Sequence, residues 1–130
     1  MIMSRKPGKQ RKAVREAPLH MRQRFAAAHL SPALRKQIGK RSLALRKGDE
    51  VRVMRGSHRG TVGKVEMVDL KETKVYIENL KRKKVAGTEK SIPMQPSKLM
   101  ITNLVMEDKE RKMSVERRSA RTEQKTAVKK

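Results

Sequence analysis

Residues 47–65, Lys-Gly-Asp-Glu-Val-Arg-Val-Met-Arg-Gly-Ser-His-Arg-Gly-Thr-Val-Gly-Lys-Val, hold the side chains best suited to chemistry. Arg55 and Arg59 bracket Gly56, Ser57 and His58, and Gly60 follows. Gly56 and Gly60 permit positive φ and close backbone approach, so a tight loop can present two guanidinium groups beside exposed backbone N–H groups. Such a grouping suits the binding of phosphate. Gly63, inside the apolar run that follows, predicts a bulge that bends a sheet beside Lys64. The competing view is that the glycines only shape a hairpin and that both arginines are solvated surface. The positive charge on either side weighs against it.

Other constellations point to no reaction. His20, His29 and His58 are isolated, with no carboxylate at ligand spacing, and the chain has no cysteine. Disulfides and thiolate zinc sites are therefore excluded, and no metal site is expected. A phosphate-loop ending of Gly-Lys-Ser/Thr is absent, which leaves nucleotide hydrolysis without support. Asp49 and Glu50 precede Arg52, and Glu78 precedes Lys81, a pattern of charge balancing on a small surface. A catalytic carboxylate pair needs an enclosing pocket that so small a chain cannot easily form. Neither an enzyme nor a cofactor is expected.

Charge names the class of partner. The 130 residues carry 35 Lys plus Arg against 13 Asp plus Glu, a net +22. Such a chain repels itself, and nucleic acid is the polyanion that would neutralise it. An anionic membrane would demand a long apolar span or a strongly amphipathic helix, and neither is present. The amino terminus lacks the apolar stretch of a signal peptide, so a cytoplasmic location without a membrane span is expected. Phe25 and Tyr76 are the only aromatic residues, whereas single-strand readers stack successive bases on several rings. Recognition of phosphate, sugar and groove shape remains, with salt-sensitive affinity as its signature.

The elements that must position these groups follow from patterning. Residues 1–46 carry net +12, residues 47–104 net +6 and residues 105–130 net +4. This division predicts a basic N-terminal extension, a folded middle and a charged C-terminal extension. Residues 1–17 have almost no large apolar side chains and are expected to be disordered when free. Met21, Phe25 and Ala28 recur at helical spacing and predict a helix over about 18–28. Ser31 as cap, Pro32 at the first helical position and Gly39 as stop predict a second over 31–38. Beyond residue 47 the period falls to two: Val51 and Val53, Val62 to Val68, Val75 and Ile77, and Leu99 and Ile101 mark short strands. Closely spaced short strands predict a mainly β fold, a small barrel. At roughly 55 residues it would be only marginally stable alone. In the tail, Glu107 with Arg111 and Asp108 with Lys112 stand at helical ion-pair spacing, predicting a frayed helix that runs into disorder.

The stretch from Lys47 to Val65 resembles the KOW element of ribosomal proteins and transcription elongation factors. Ala17-Pro18-Leu19-His20-Met21-Arg22, Ser31-Pro32-Ala33-Leu34-Arg35, Arg41-Ser42 and Pro96-Ser97-Lys98-Leu99-Met100-Ile101-Thr102 extend the likeness over residues 5–118. Together they resemble the universal large-ribosomal-subunit protein 24 family, whose eukaryotic counterpart is large-subunit protein 26. The basic arm resembles the archaeal and eukaryotic branch, and the Gly60-Thr61-Val62-Gly63 spacing favours the archaeal side. Ile92-Pro93-Met94-Gln95 is less basic than the family pattern.

The resemblance implies an SH3-like barrel in the large ribosomal subunit that binds the 5′ region of large-subunit rRNA, takes part in assembly and lies near the exit tunnel. Implied partners are large-subunit rRNA, neighbouring large-subunit proteins and nascent chains or exit-site factors, with the chain a monomer within the ribosome. The expected rRNA-facing residues are Arg5, Lys6, Lys9, Arg11, Lys12, Arg15, Arg22, Arg24, Arg41 and Arg46 on the arm. Arg55, Gly56, Ser57, His58, Arg59 and Lys64 join them from the KOW element, and Ser97 and Lys98 from the last strand's approach. Lys81, Arg82, Lys83 and Lys84 follow the third strand and are expected to extend the same edge; the run also resembles a nuclear-type address or a solvated turn. A KOW-containing transcription elongation factor or other RNA-binding factor is the alternative, and an elongation factor would carry a globular domain ahead of the element. A polybasic membrane-surface or chaperone-like protein is the third possibility.

Overall fold

The computed structural model describes residues 4–117. The chain is mainly β, with strands β1 (Ala27–Leu30), β2 (Ser42–Ala44), β3 (Glu50–Val53), β4 (Val62–Asp69), β5 (Lys74–Ile77), β6 (Lys81–Lys83), β7 (Glu89–Ser91) and β8 (Leu99–Asn103). Helices α1 (Pro7–Glu16), α2 (Leu19–Phe25) and α3 (Pro32–Ile38) precede or interrupt them, and residues 109–117 are helical. Six strands form one sheet in the order β2-β1-β8-β3-β4-β5, while β6 and β7 form a separate hairpin. The order has two ends, β2 and β5, so it does not by itself make the expected closed barrel. Beyond β5, Val75 and Met94 exchange backbone hydrogen bonds of 2.9 Å.

Period-two patterning accounts for the middle strands. In β3, Val51 and Val53 are buried while Arg52 is exposed, and in β5 Val75 and Ile77 are buried on either side of half-buried Tyr76. They join Ala28, Leu30, Ile38, Leu45, Val65, Leu80, Met94, Leu99 and Ile101 in one apolar core. α3 forms as its end signals predict. Ser31 Oγ accepts from Leu34 N at 3.4 Å, and Gly39 closes the helix with φ 67° while donating to Arg35 O at 2.9 Å.

Several expectations need correction. The helix expected over 18–28 stops at Phe25, and Ala27–Leu30 is a strand instead. Its tertiary partners outweigh the weak β preference of an Ala-Ala-His-Leu run: β1 lies between antiparallel β2 and parallel β8, and Ser31 N donates to Ile101 O at 2.9 Å. Strands from the basic extension are thus part of the main sheet. Where disorder was expected, α1 spans Pro7–Glu16, built from good helix formers with Pro7 in the first turn and with no buried residue. Gly63 carries no bulge. The register of β4 against β5 shifts between Val65 and Met67, and Gly63 instead permits close approach, since a Cβ there would lie 2.7 Å from Ile77 Cγ2.

A buried charge also departs from expectation. Asp49, expected at the surface, is fully buried, and its partner is Arg111, which is 4% exposed. Arg111 Nη1 and Nη2 donate to the two Asp49 carboxylate oxygens at 2.7 Å each. Val105 N donates to Oδ1 at 3.1 Å and Arg46 N to Oδ2 at 2.9 Å, so both oxygens are doubly satisfied. The guanidinium also reaches Val105 O at 2.8 Å and Ala44 O at 3.3 Å. The expected Glu107–Arg111 and Asp108–Lys112 pairs give way to this arrangement, with Asp108 paired to Arg46. The remaining tail, 118–130, lies outside the described residues.

Removing one member of a buried ion pair leaves a dehydrated charge without compensation and costs about 3–5 kcal/mol. Arg111→Ala should therefore lower the stability of the full chain by that amount in urea unfolding. Gly63→Ala should cost about 1–3 kcal/mol by overpacking against Ile77, with its unfolding midpoint as the measure.

Candidate nucleic-acid interface

The KOW loop is held by its backbone, which leaves its side chains free. Val53 N donates to Thr61 O at 2.9 Å and Gly60 N to Val53 O at 2.8 Å, closing the loop at its base. Arg59 N to Gly56 O at 3.1 Å and Thr61 N to His58 O at 3.2 Å tighten it within. Gly56 at φ +99° and Gly60 at φ +92° occupy the region that favours glycine, as the sequence predicts. Arg55, Ser57 and Arg59 are exposed and His58 is half-buried. Among the described residues, neither Arg55 nor Arg59 has an ion-pair partner. Two unpaired guanidinium groups on a rigid loop can grip phosphate without losing internal contacts.

Neighbouring elements add cations. Met54 N donates to Lys98 O at 2.8 Å, which sets exposed Ser97 and Lys98 at the root of the loop. Lys64 is exposed on β4 opposite Glu50, whose carboxylate accepts from Asn103 Nδ2. The β6–β7 hairpin carries Lys81, Arg82 and Lys83, with Lys84 in its turn, and every residue from 81 to 90 is exposed. Arg82 stands directly opposite Lys90, a like-charge pair that disfavours the hairpin. Lys81 is 3.9 Å from Glu89, an exposed pair of little energetic weight. His58 and the hairpin share one groove, so the KOW loop and the 81–84 edge come together.

The arm divides into internal and external cations. Arg22 is an internal staple: it donates to Ala17 O at 2.7 Å, Lys71 O at 2.8 Å and Arg15 O at 2.5 Å, tying α1 and α2 to the β4–β5 turn. Arg46 is engaged by Asp108. Arg5, Lys6, Lys9, Arg11, Lys12, Arg15, Arg24 and Arg41 are exposed, although Lys12 lies 3.9 Å from Glu16. α1 is anchored at the β4–β5 turn, after β4, whereas the KOW loop precedes β4.

Sequence reasoning overlooked Tyr76 and Lys90, which line the groove with the hairpin. The alternation of β5 is the signal that could have shown Tyr76 facing outward; nothing in the sequence marked Lys90. Among the described residues, no group of three or more His, Cys, Asp or Glu could hold a metal ion, and no helix is long and apolar enough to cross a membrane.

Residues 4–118 match the family model that describes the eukaryotic large-subunit ribosomal protein 26 together with its archaeal counterpart, ribosomal protein 24. A protein of Methanothrix thermoacetophila named "Large ribosomal subunit protein uL24" is 49% identical over 110 residues, covering 85% of this chain and 95% of that protein. Proteins of the same name from Methanosarcina barkeri and Korarchaeum cryptofilum are 46% and 42% identical, covering 89% and 95% of this chain and 100% and 94% of their own lengths. The chain belongs to the universal large-ribosomal-subunit protein 24 family, in its archaeal and eukaryotic branch.

Proposed function

We propose that the chain is a structural constituent of the large ribosomal subunit in the cytoplasm and acts there by binding rRNA, not as an enzyme. The observation that carries this is the pair of exposed, unpaired arginines on the backbone-locked KOW loop of a chain belonging to a ribosomal family. Residues 47–104 dock through that loop, Lys64, Ser97, Lys98 and the 81–84 edge. The exposed cations of α1, with Arg24 and Arg41, hold a second stretch of RNA. Such a division suits a protein that tethers separate rRNA segments during assembly. Binding to the 5′ region of the large rRNA, a position near the exit tunnel and contact with nascent chains or exit-site factors belong to the same proposal. A transcription elongation factor is less well supported, because the named relatives span nearly the whole chain and all are large-subunit proteins.

In sedimented cell extract the chain should co-migrate with large subunits and leave them only at high salt. Binding of purified protein to large-subunit rRNA should weaken about a thousandfold between 50 and 200 mM salt if six or more phosphates are engaged. Arg55→Gln with Arg59→Gln should lower the slope of log affinity against log salt by about 2 without altering the β signal in circular dichroism. A flat salt response would overturn electrostatic docking. An unchanged slope in the double variant would return the loop to ordinary surface.

A further inference from the structure

The groove between the KOW loop and the β6–β7 hairpin is more than a cluster of cations. Its volume is about 1140 Å³, above the usual range of small-molecule pockets. Lys81, Lys83 and Lys90 line it together with His58, while Glu72 is the one acidic residue on its wall. The lining also has an apolar part, made by Tyr76, Val85, Ile92 and Pro93. Tyr76 belongs there by strand alternation: Val75 and Ile77 point into the core at 0% and 1% exposure, so the ring between them is on the other face. The hairpin rises beside it from the Ile92 N to Leu80 O hydrogen bond of 2.9 Å.

We infer that this groove receives an unpaired RNA segment and holds one base against the face of Tyr76. The inference rests on the proposed rRNA-binding role and adds the conformation of the RNA and the point of contact. Phosphates satisfy the cationic rim, but they leave an aromatic and aliphatic surface without a partner. An A-form duplex presents phosphates and 2′-hydroxyls and keeps its bases stacked inside, so it covers the rim and not the ring. An unpaired strand satisfies both parts. With Phe25 as the only other aromatic residue, stacking is limited to one position and does not run along the strand.

Tyr76 is the only tyrosine, so full-length protein made with 3-fluorotyrosine gives a single fluorine resonance to observe. The probes are an eight-nucleotide single-stranded adenosine RNA and an RNA duplex of eight base pairs. Binding of the single strand should move the resonance upfield by the ring current of the stacked base, while the bound duplex should leave it in place. Tyr76→Leu should weaken single-strand binding about tenfold with an unchanged salt slope, as loss of stacking requires. Lys81→Gln with Lys83→Gln should instead flatten the slope, and Tyr76→Phe should bind as the native chain does.

A bound single strand with an unmoved resonance would overturn the inference, as would equal shifts from both RNAs or no binding of the single strand at low salt. None of these outcomes bears on the ribosomal role, which fails only if the chain does not sediment with large subunits.

Discussion

The fold depends on one dehydrated ion pair. Asp49 sits at the start of β3 with both carboxylate oxygens on the Arg111 guanidinium, while backbone N–H groups of Arg46 and Val105 complete its shell. Through these contacts the pair joins the segment leading into β3, the segment leaving β8 and the helical stretch 109–117. β3 lies between β8 and β4, so the anchor sits at the centre of the sheet that carries the KOW loop. Gly48 shows how closely the segments pack: its φ is +89°, and a Cβ there would approach Val105 Cγ2 to 3.3 Å. A buried ion pair is not a general source of stability, because desolvation offsets its Coulomb energy. Here its geometric role dominates, since only one docking of the tail satisfies all the donors and acceptors at once.

In a chain of net +22, some cations serve internal contacts. Arg111, Arg22 and Arg46 point into or across the fold, where carbonyl and carboxylate oxygens accept their N–H groups. Exposed cations without an ion-pair partner among the described residues include Arg55 and Arg59 on the KOW loop, Arg82 and Lys83 on the hairpin, and Lys9 and Arg11 along α1. Self-repulsion at such exposed positions is what a polyanion can relieve. The like-charge pair of Arg82 and Lys90 is the clearest instance, placed across a two-stranded hairpin that has no third strand to support it.

Local signals made part of this legible in the sequence. Ser31, Pro32 and Gly39 delimit α3 because capping is decided within a few residues, and Val51, Val53, Val75 and Ile77 declare their strands by alternation. Gly56 and Gly60 announced the left-handed turns of the loop. Hidden features depend on distant partners. β1 is an Ala-rich run that is a strand only because β2 and β8 flank it, and β6 with β7 is polar on every exposed residue, with no alternation to detect. The groove was illegible for the same reason, since His58, Tyr76 and Lys90 meet only after the hairpin folds back. The separation of Arg22 from the other arm arginines had no sequence signal, because its acceptors are backbone carbonyls, one of them at Lys71.

Asp49 is the instructive case, because half of its role was available. Period two places Asp49 on the same face as Val51 and Val53, and that face is the core. A carboxylate in that register must find a cation with bidentate geometry, or the strand must begin later. The sequence cannot tell which of 35 basic residues answers, since the one that does lies 62 residues away. The separation in turn constrains folding. The alternating strands from β3 to β8 can collapse on their own apolar faces, but Asp49 stays uncompensated until Arg111 arrives. The C-terminal extension is therefore packed into the KOW domain, with Arg111 and the Val105 backbone completing the shell of Asp49 beside β3.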